Sequence, residues 1–532
     1  MIDNQIPFSQ TGYFSKFILD YLLEEKSIKP FYQYPISMEA IGQIIEDKKN
    51  ELIDRTVLVK AITQQYQVLS NVSQNVKENI QSFQSTNTFC MVTAHQLNIF
   101  GGPLYLIYKI AQTIATCNQL KNKYPSYHFV PVYWMGSEDH DFEEINHIYL
   151  FNKKIEWTDK QGGATGNYSP KSIAIVIEEL KVILGDSAHA TSLLQIFENA
   201  YQQTTLSDAS RYLMNALFGK HGLVVIDGND GLLKRQFLSN MQDELENQSA
   251  FKLVAEQNKQ LEFLGYKQQA FPREINLFYL SKNSRERIIY NASTDKYEVL
   301  NTNFTFSKEE ILTELNNHPE HFSPNVILRP LYQQKTLPSL AYIGGGGELS
   351  YWLQLKTLFH YHQINFPQLI LRNSALLMNT SIVQKIDKLN LTIIDFFNTI
   401  DTLKKHFITQ NTKEDLDVSV YKQAIENTFV NLQQLTKEID ASLINTVGAE
   451  MQKALQSVDS LQKRLMKSLK QKNETSLNQM EKIKTQLFPE NSLQERVENF
   501  SAYYIKYGDA FMDELIATFD VYHKQFLLIQ LS

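Results

Sequence analysis

Seven carboxylate and imidazole side chains follow directly after an apolar segment in the stretch 130–147. The segment 130–135 has the composition of a buried strand, and a Gly-Ser turn ends it. Ligands of parallel sheets bind outside the carboxyl ends of the strands. Side chains of these two types at such an end suit general acid–base catalysis or metal binding. The seven are Glu138, Asp139, His140, Asp141, Glu143, Glu144 and His147.

Two interpretations of this cluster stay open. If a helix begins at Glu138, Asp139 and Glu143 lie four residues apart on one face, as do Glu143 and His147. An acidic helix N-terminus would complement the helix dipole without any function. Because that alternative leaves both histidines and the neighbouring Trp134 unexplained, we favour a functional site. The complete spacing of a known zinc site is absent, so we expect acid–base or substrate-binding roles rather than metal ligation.

Two glycine-containing loops follow other predicted strands. Gly101 and Gly102 precede a predicted helix whose free N–H groups would bind an anion, and His95 in the same loop could donate a hydrogen bond to a phosphate. A purely structural turn is the alternative. The run Gly344–Gly347 lies between a strand and a helix and predicts a backbone nest. Glu348 at the start of that helix could contact a ribose hydroxyl or an ammonium group, or cap the helix.

Three arginines stand at the ends of apolar segments: Arg273, Arg329 and Arg372. A guanidinium group can clamp a carboxylate through two parallel hydrogen bonds. A structural ion pair is the alternative for each arginine. We expect at least one of them to bind substrate.

The elements that must position these residues form a repeated strand–helix pattern in the first 375 residues. Apolar strands alternate with helices, which predicts a mostly parallel, doubly wound α/β sheet. Shorter alternating segments within 150–205 and 235–330 predict insertions on this sheet. The strands are expected at 88–93, 129–134, 222–227, 340–343 and 368–372.

A long helical arm is predicted in the last third of the chain. No proline follows Pro367 until Pro489, with a single glycine between them. Apolar residues recur at steps of three or four from 425 to 469, which is typical of a coiled coil. Because a polar interval at 409–417 interrupts the pattern, we expect an antiparallel helical hairpin that begins near Ser381. We favour a projecting arm that forms a homodimer over a bundle packed on its own core.

The composition excludes several classes of protein. A chain of 532 residues with 43% apolar side chains can form at least two cores. A formal net charge of −7 argues against general nucleic-acid binding. The two cysteines, Cys90 and Cys117, form no CxxC pair and exclude a disulfide framework or a thiolate zinc site. With neither a signal peptide nor an apolar run of membrane length, we expect a cytoplasmic location and no membrane partner.

Several motifs resemble, in their order along the chain, those of the bacillithiol-biosynthesis cysteine-adding enzymes, the BshC family. The resemblance covers essentially the whole sequence. The motifs are Thr93–Gln96 with Phe100–Lys109, Val132–His147, Phe271–Arg273, Leu328–Leu331, Leu337–Trp352, and Phe488–Pro489 with Gln494–Arg496.

The resemblance implies a Rossmann-like core with connecting-peptide insertions over residues 1–375, akin to class I aminoacyl-tRNA synthetases and nucleotidylyltransferases. It also implies a dimerising antiparallel coiled coil, which we expect over 376–488. We expect the remaining segment, 489–532, to be helical and to pack on the core.

The resemblance further implies a ligase that joins cysteine to the amino group of glucosaminyl malate, the last step to bacillithiol. ATP would be the cosubstrate, accompanied by Mg²⁺, and would activate the cysteine carboxylate as an adenylate; no resident metal is expected. The catalytic candidates are Asp139, His140, Glu144 and His95. The nucleotide-binding candidates are Thr93, Gln96, Gly101, Gly102, Gly344, Gly345, Gly346, Gly347 and Glu348. The substrate-binding candidates are Tyr105, Lys109, Trp134, Arg273, Arg329 and Arg372.

Two other functional classes stay open. A metal-dependent hydrolase could be built on Asp139, His140, Glu144 and His147, and stoichiometric zinc or manganese lost together with activity would favour it. A non-catalytic coiled-coil scaffold with a vestigial nucleotide fold is the other class. It would bind neither nucleotide nor dicarboxylate.

Overall fold

The computed structural model describes residues 5–411, 417–522 and 524–531. The chain forms two compact units. The divisions lie close to the expected ones at 375 and 488. No helix among the described residues is long and apolar enough to cross a membrane. The first unit is Met1–Leu376 with Ser492–Leu528, and the second is Leu377–Asn491 with Ile529–Ser532.

The strands are short, and most of them lie in the first unit. In chain order they are β1 Gln5–Pro7, β2 Thr88–His95, β3 His128–Met135, β4 His147–Leu150, β5 Lys153–Glu156, β6 Val224–Asp227, β7 Leu277–Leu280, β8 Arg285–Asn291, β9 Lys296–Val299, β10 Thr305–Phe306, β11 Phe322–Pro324, β12 Ser339–Gly344, β13 Gln368–Leu371, β14 Ala375–Asn379 and β15 Gln525–Leu531.

The helices range from single turns to the long α19 and α20 of the second unit. They are α1 Phe8–Thr11, α2 Lys16–Leu22, α3 Ala40–Lys49, α4 Arg55–Tyr66, α5 Gln74–Ser82, α6 Leu104–Lys123, α7 Ala174–Leu184, α8 Ala188–Tyr201, α9 Leu206–Phe218, α10 Gly231–Arg235, α11 Leu238–Asn247, α12 Ser249–Phe263, α13 Lys308–Asn317, α14 Arg329–Thr336, α15 Gly346–Trp352, α16 Lys356–Tyr361, α17 Thr380–Lys388, α18 Ile400–Gln410, α19 Ser419–Ile439, α20 Ile444–Lys472, α21 Glu474–Leu487, α22 Gln494–Val497, α23 Ser501–Tyr507 and α24 Asp509–Thr518.

Five strands form the parallel sheet that the sequence predicts. Their order is β13, β12, β2, β3, β6, and every neighbouring pair is parallel. The chain builds β2, β3 and β6 outward in one direction and then returns to place β12 and β13 on the other side of β2. This is a doubly wound order whose topological switch point lies between β2 and β12, where such sheets bind ligands. The fold class and the five strand positions are therefore confirmed.

Burial explains why these strands could be recognised. Seven of the eight residues of β2 and of β3 are buried, because both faces of the sheet are covered. The helix α6 connects these two strands and packs against both of them. The predicted apolar face of α6 is buried as expected; it consists of Leu104, Ile107, Tyr108, Ala111 and Ile114.

Both predicted insertions contain the shorter elements expected of them. The first includes the antiparallel hairpin β4–β5 and the helices α7 and α8. The second carries an antiparallel sheet with the order β10, β9, β8, β7, β11. The strands β7 and β8 lie where the sequence shows alternating apolar residues.

The C-terminal segment differs from the expectation. The helices α22, α23 and α24 lie in the first unit, but the chain then ends in β15, which pairs antiparallel with β1. The prediction of a wholly helical segment over 489–532 is therefore wrong. The apolar run 526–529 is the strand signal that the prediction overlooked.

In the second unit, α19 and α20 form the predicted antiparallel hairpin. Lys422 pairs with Asp459, and Gln433 lies beside Gly448, so the facing residues run in opposite directions along the two helices. None of the side chains of α19 or α20 is buried within the described chain. Part of the apolar seam of the arm is exposed, and its exposed members include Leu432, Leu435, Ile439, Leu461 and Leu465.

The position of the hairpin turn was predicted wrongly. The polar interval does coincide with a helix boundary, because α18 ends at Gln410 and α19 begins at Ser419. Part of the segment between them lies outside the described residues. The turn between the antiparallel helices, however, is at Ala441–Leu443, inside the seam that was expected to be continuous. Asp440 stabilises this turn, because its carboxylate accepts the N–H of Ser442.

Candidate active site

A cavity of about 720 Å³ lies at the carboxyl ends of the parallel strands in the first unit. The ends of β2, β3, β12 and β13 contribute to it, so it opens at the topological switch point. The second insertion supplies the opposite wall through β7, β8 and β11. Among the predicted site residues, the cavity is lined by His95, Gln96, Tyr105, Lys109, Trp134, Asp139, Arg273, Arg329, Gly345, Gly346, Gly347, Glu348 and Arg372.

Arginine dominates the charge of this cavity. Six arginines line it, and only Arg372 has a carboxylate partner within 4.0 Å among the described residues. The others face the cavity with no such partner, against three lining carboxylates. Two nitrogens of this set, Nε of Arg287 and Nη2 of Arg329, are buried without a hydrogen-bond partner. The five unpaired arginines are Arg273, Arg285, Arg287, Arg329 and Arg496.

Arg372 is held by a buried ion pair. Its Nη2 donates to Oε1 of Glu495 at 2.7 Å, and both side chains are nearly inaccessible. Burial by itself would lower the pKa of Arg372, yet the contact with Glu495 raises it above the ordinary value. The other Glu495 oxygen accepts the N–H of Ala375. For Arg372 the structure thus favours the ion-pair alternative, although its guanidinium still borders the cavity.

A second buried network lies beneath the four-glycine loop. Lys109 forms an ion pair with Glu348 and donates to the carbonyl oxygen of Ala94 at 2.9 Å. Burial lowers the pKa of Lys109 even though Glu348 opposes the shift. Glu348 also accepts hydrogen bonds from the Tyr342 hydroxyl and from the N–H of Gly345. Its oxygens are therefore engaged within the protein, which favours the capping role over direct ligand contact.

His95 ends β2 and points into this region without a hydrogen-bond partner for Nε2. Burial, reinforced by the charge of Lys109, lowers the pKa of His95 to about 3. The ring packs edge-on against Tyr105 at a centroid distance of 5.1 Å. At neutral pH the imidazole is consequently uncharged. Nε2 can form one hydrogen bond with a ligand. The neutral ring, however, brings no positive charge to a phosphate and is unsuited to act as a general acid.

The acidic segment after β3 is a loop, so the condition that a helix begins at Glu138 is not met. Asp139 explains this outcome, because its Oδ1 accepts the N–H groups of His140 and Asp141. Such local side-chain bonds compete with helix formation. Gln96 donates to the other Asp139 oxygen at 2.6 Å, which fixes the carboxylate at the cavity wall.

Glu138 also lines the main cavity, whereas the other acidic and imidazole groups of the loop do not. Glu144 accepts a bond from Gln96 and, with His140, borders an open depression that Asp139 shares with the main cavity. Nδ1 of His140 lies 3.2 Å from Nη1 of Arg285. His147 is the first residue of β4. The metal-dependent alternative needs Asp139, His140, Glu144 and His147 to lie together. Among the described residues, these four side chains form no group of potential metal ligands.

The first glycine loop is packed rather than open. Gly101 and Gly102 have positive φ, and a Cβ on Gly101 would come within 2.8 Å of the Phe500 ring. Asn499 donates to the carbonyl oxygens of Phe100 and Gly102. These two glycines are not among the lining residues, and neither are the buried Gly344 and Thr93, whose hydroxyl bonds to Ile343. The loop is therefore packed against the C-terminal segment and lies outside the cavity lining, which favours the structural-turn alternative.

The comparisons with known proteins agree with this architecture. Residues 1–373 match the N-terminal Rossmann-like domain of bacillithiol biosynthesis BshC, and residues 375–531 match its C-terminal coiled-coil domain. The chain belongs to the BshC family. Relatives named cysteine ligase BshC come from Flavobacterium johnsoniae, 42% identical over 514 residues and 96% of each chain, and from Christiangramia forsetii, 41% identical over 537 residues and 99% of each chain. Another, from Bacillus mycoides, is 27% identical over 94% of this chain and 95% of its own.

Sequence reasoning missed three arginines of this BshC chain. Arg285 and Arg287 lie two residues apart on β8, so the period of a strand places both on the face that lines the cavity. The two-residue period of a strand could have identified both arginines, because shorter alternating segments were already predicted within 235–330. Arg496 follows Glu495 in the motif after the coiled coil, and its position beside the cavity depends on a long-range contact that no local pattern reveals.

Proposed function

We propose that the chain is an amide-forming ligase that adds L-cysteine to the amino group of glucosaminyl malate and so produces bacillithiol, with ATP as the activating cosubstrate. The observation that carries the proposal is the set of five unpaired arginines around one cavity at the switch point of a Rossmann-like sheet. Both proposed ligands are polyanions, a malyl dicarboxylate and a nucleotide triphosphate. Family membership supports the cysteine-adding reaction.

The malyl group fits the wall built by the insertion. Arg285 and Arg287 present their guanidinium groups from adjacent same-face positions of β8, and Arg273 stands nearby on the same wall. A planar guanidinium group can bind a carboxylate through two parallel bonds. The buried Nε of Arg287 lacks a hydrogen-bond partner among the described residues, and a substrate carboxylate would supply one.

The nucleotide fits the side of the cavity formed by the core. The switch point, the cations Arg329 and Arg496, and the edge of the glycine loop all border it. A Cβ on Gly347 would meet no atom within 4 Å, so this edge has room for a ligand. When bound with Mg²⁺, ATP would supply the activation that a free carboxylate needs for amide formation. The chain itself would hold the phosphates and keep the two substrates close together.

Asp139 is the proposed proton acceptor. An ammonium group must lose a proton before it can attack a carbonyl carbon, and Asp139 is a carboxylate at the cavity wall without an ion-paired lysine or arginine. Glu138 also borders the cavity, but its Oε1 lies 2.6 Å from the buried Nζ of Lys234. Glu348 is paired in the same way with Lys109.

The decisive experiment incubates the purified chain with glucosaminyl malate, cysteine and ATP and detects products by mass spectrometry. Bacillithiol and AMP in equal amounts are expected. Arg287→Met should raise the KM for glucosaminyl malate by about 10- to 150-fold, the equivalent of one charge-assisted hydrogen bond. Arg464→Met, an exposed change on α20, is the matched control and should leave KM unchanged.

Other results would contradict parts of the proposal. Formation of ADP instead of AMP would exclude adenylate activation while preserving the ligase assignment. Binding of neither ATP nor malate would indicate a non-catalytic scaffold.

We also propose that the chain forms a homodimer through the arm and acts in the cytoplasm. The hairpin α19–α20 exposes Leu461 and Leu465 by 57% and 54%. Two helices leave such a seam uncovered, and a second copy related by a two-fold axis is the simplest cover.

A further inference from the structure

A compact group of metal-ligating side chains lies outside the cavity, between α13 and β11. One ligand atom from each of His318, Glu320 and His321 lies within 4.8 Å of the others, and this is the one such group among the described residues. The sequence His-Pro-Glu-His forms a short 3₁₀ turn at Pro319–His321. Because a 3₁₀ turn has three residues per turn, side chains three apart project from the same side.

The geometry within the group is close to that of a coordination shell. Nδ1 of His318 lies 3.2 Å from Oε1 of Glu320, and two ligands at about 2.0–2.2 Å from one tetrahedral ion lie roughly 3.3 Å apart. The two imidazole rings are stacked at a centroid distance of 5.0 Å. The three side chains are 38–51% exposed, so an ion can reach them from solvent.

A second carboxylate supports one histidine from behind. Nδ1 of His321 lies 2.7 Å from Oε1 of Glu314, and the Tyr279 hydroxyl donates to the same Glu314 oxygen at 2.8 Å. A carboxylate that accepts the Nδ1–H fixes the tautomer in which Nε2 carries the lone pair. Metal-binding histidines are usually held in this way by a carboxylate or carbonyl group.

We propose that His318, Glu320 and His321 bind a divalent transition-metal cation of the zinc class. Two imidazoles and a carboxylate are a donor set that zinc accepts, with water completing four ligands. Glu314 orients His321 and is a positioning residue. The proposal does not depend on the ligase reaction.

The position of the group assigns this cation a structural role. His321 directly precedes β11, in which Pro324 lines the cavity and the Ser323 hydroxyl accepts a bond from Arg285. On the other side, the carbonyl oxygen of Glu320 accepts a bond from Lys234. A bound ion would therefore stiffen the segment that supports the arginine wall. Removing the ion should weaken that wall without removing any group from the cavity.

The test titrates the full, metal-free chain with Co²⁺ and follows the visible absorption of tetrahedral cobalt. About one ion per chain is expected, displaced by Zn²⁺. His321→Ala should abolish the tetrahedral spectrum, and Glu314→Gln should weaken binding by about 10- to 100-fold. His360→Ala, an exposed histidine on α16, is the matched control and should bind as the wild type does.

Thermal melting gives an independent readout, because an ion that binds only the folded chain raises Tm. Zn²⁺ should raise the Tm of the wild type and of His360→Ala but not that of His321→Ala. Tryptophan fluorescence without metal checks that the variants fold. The proposal is overturned if the wild type gives no tetrahedral spectrum, if His321→Ala binds Co²⁺ unchanged, or if His140→Ala abolishes binding instead. None of these results bears on bacillithiol formation.

Discussion

Replacing Glu348 by glutamine should destabilise the first unit far more than an ordinary surface change. Glutamine keeps the size of the side chain and can still accept the Gly345 N–H, so the helix cap survives. What is lost is the negative charge beside Lys109, whose side chain is only 2% exposed. Breaking a buried ion pair costs about 3–5 kcal/mol, because one charge is left uncompensated. Glu348 is 24% exposed, so we expect the lower end, about 3 kcal/mol.

The assay is urea unfolding followed by tryptophan fluorescence. The chain has three tryptophans, Trp134, Trp157 and Trp352, and all are buried in the first unit, so the signal reports that unit. The matched control is Glu310→Gln, which changes the same capping-box position of α13 at an exposed site. It should cost no more than about 0.5 kcal/mol.

A double variant separates charge from packing. Lys109→Met combined with Glu348→Gln removes the uncompensated cation, and should recover most of the lost stability. In the single variant, stability should also rise with pH. The folded pKa of Lys109 is already lowered by burial and falls further without Glu348, so between that value and about 10.4 the unfolded chain binds more protons. A loss below about 1 kcal/mol, or a double variant no more stable than the single one, would refute the reasoning.

Three further predictions concern the site and the arm. His95→Phe keeps an aromatic ring but cannot form the hydrogen bond, so it should lower kcat/KM about 10-fold. The pH profile between about pH 5 and 9 should not shift, because the pKa of His95 is about 3; a limb near pH 6.5 that vanishes in the variant would contradict this. Asp139→Asn should fail to restore bacillithiol in cells lacking their own enzyme, whereas Asp141→Asn restores it; equal restoration would remove Asp139 from the mechanism. Leu461→Asp with Leu465→Asp should give a monomer by light scattering with an unchanged tryptophan transition, and a persistent dimer would place the interface elsewhere.

The parallel sheet could be predicted from the sequence because its physical cause is local. Strands covered on both faces must be apolar throughout, and β2 and β3 show this directly. The order of the strands follows from the rules that connect parallel strands. The spacing of the residues in the acidic loop also fits a helix, so the sequence alone left its conformation open. The Asp139 carboxylate favours the loop because it accepts the N–H groups of His140 and Asp141, and an Asp shortly after a strand is a sequence signal for a turn.

Two further features, the first glycine loop and the hairpin turn, could not be predicted from local sequence patterns. Gly101 and Gly102 have the composition of a phosphate loop, but Asn499 and Phe500 fill the space that an anion would need. Those partners are almost four hundred residues away, so no local pattern distinguishes a packed glycine loop from an open one. The hairpin turn near Asp440 escaped notice because three turn residues preserve the apolar spacing on both sides.

The charged groups of the cavity fall into two sets, those that form an ion pair within the protein and those that do not. Lys109 with Glu348 and Arg372 with Glu495 are satisfied within the core and hold their strand ends in place before any ligand arrives. The arginines on β8 have no such partner, so their charge is available to a ligand. A ligand anion at Arg285 or Arg287 would therefore break no existing ion pair among the described residues, and the same holds for Arg329 and Arg496 on the core side. The cavity thus combines ion pairs that support the strand ends with arginines on both walls that have no carboxylate partner among the described residues.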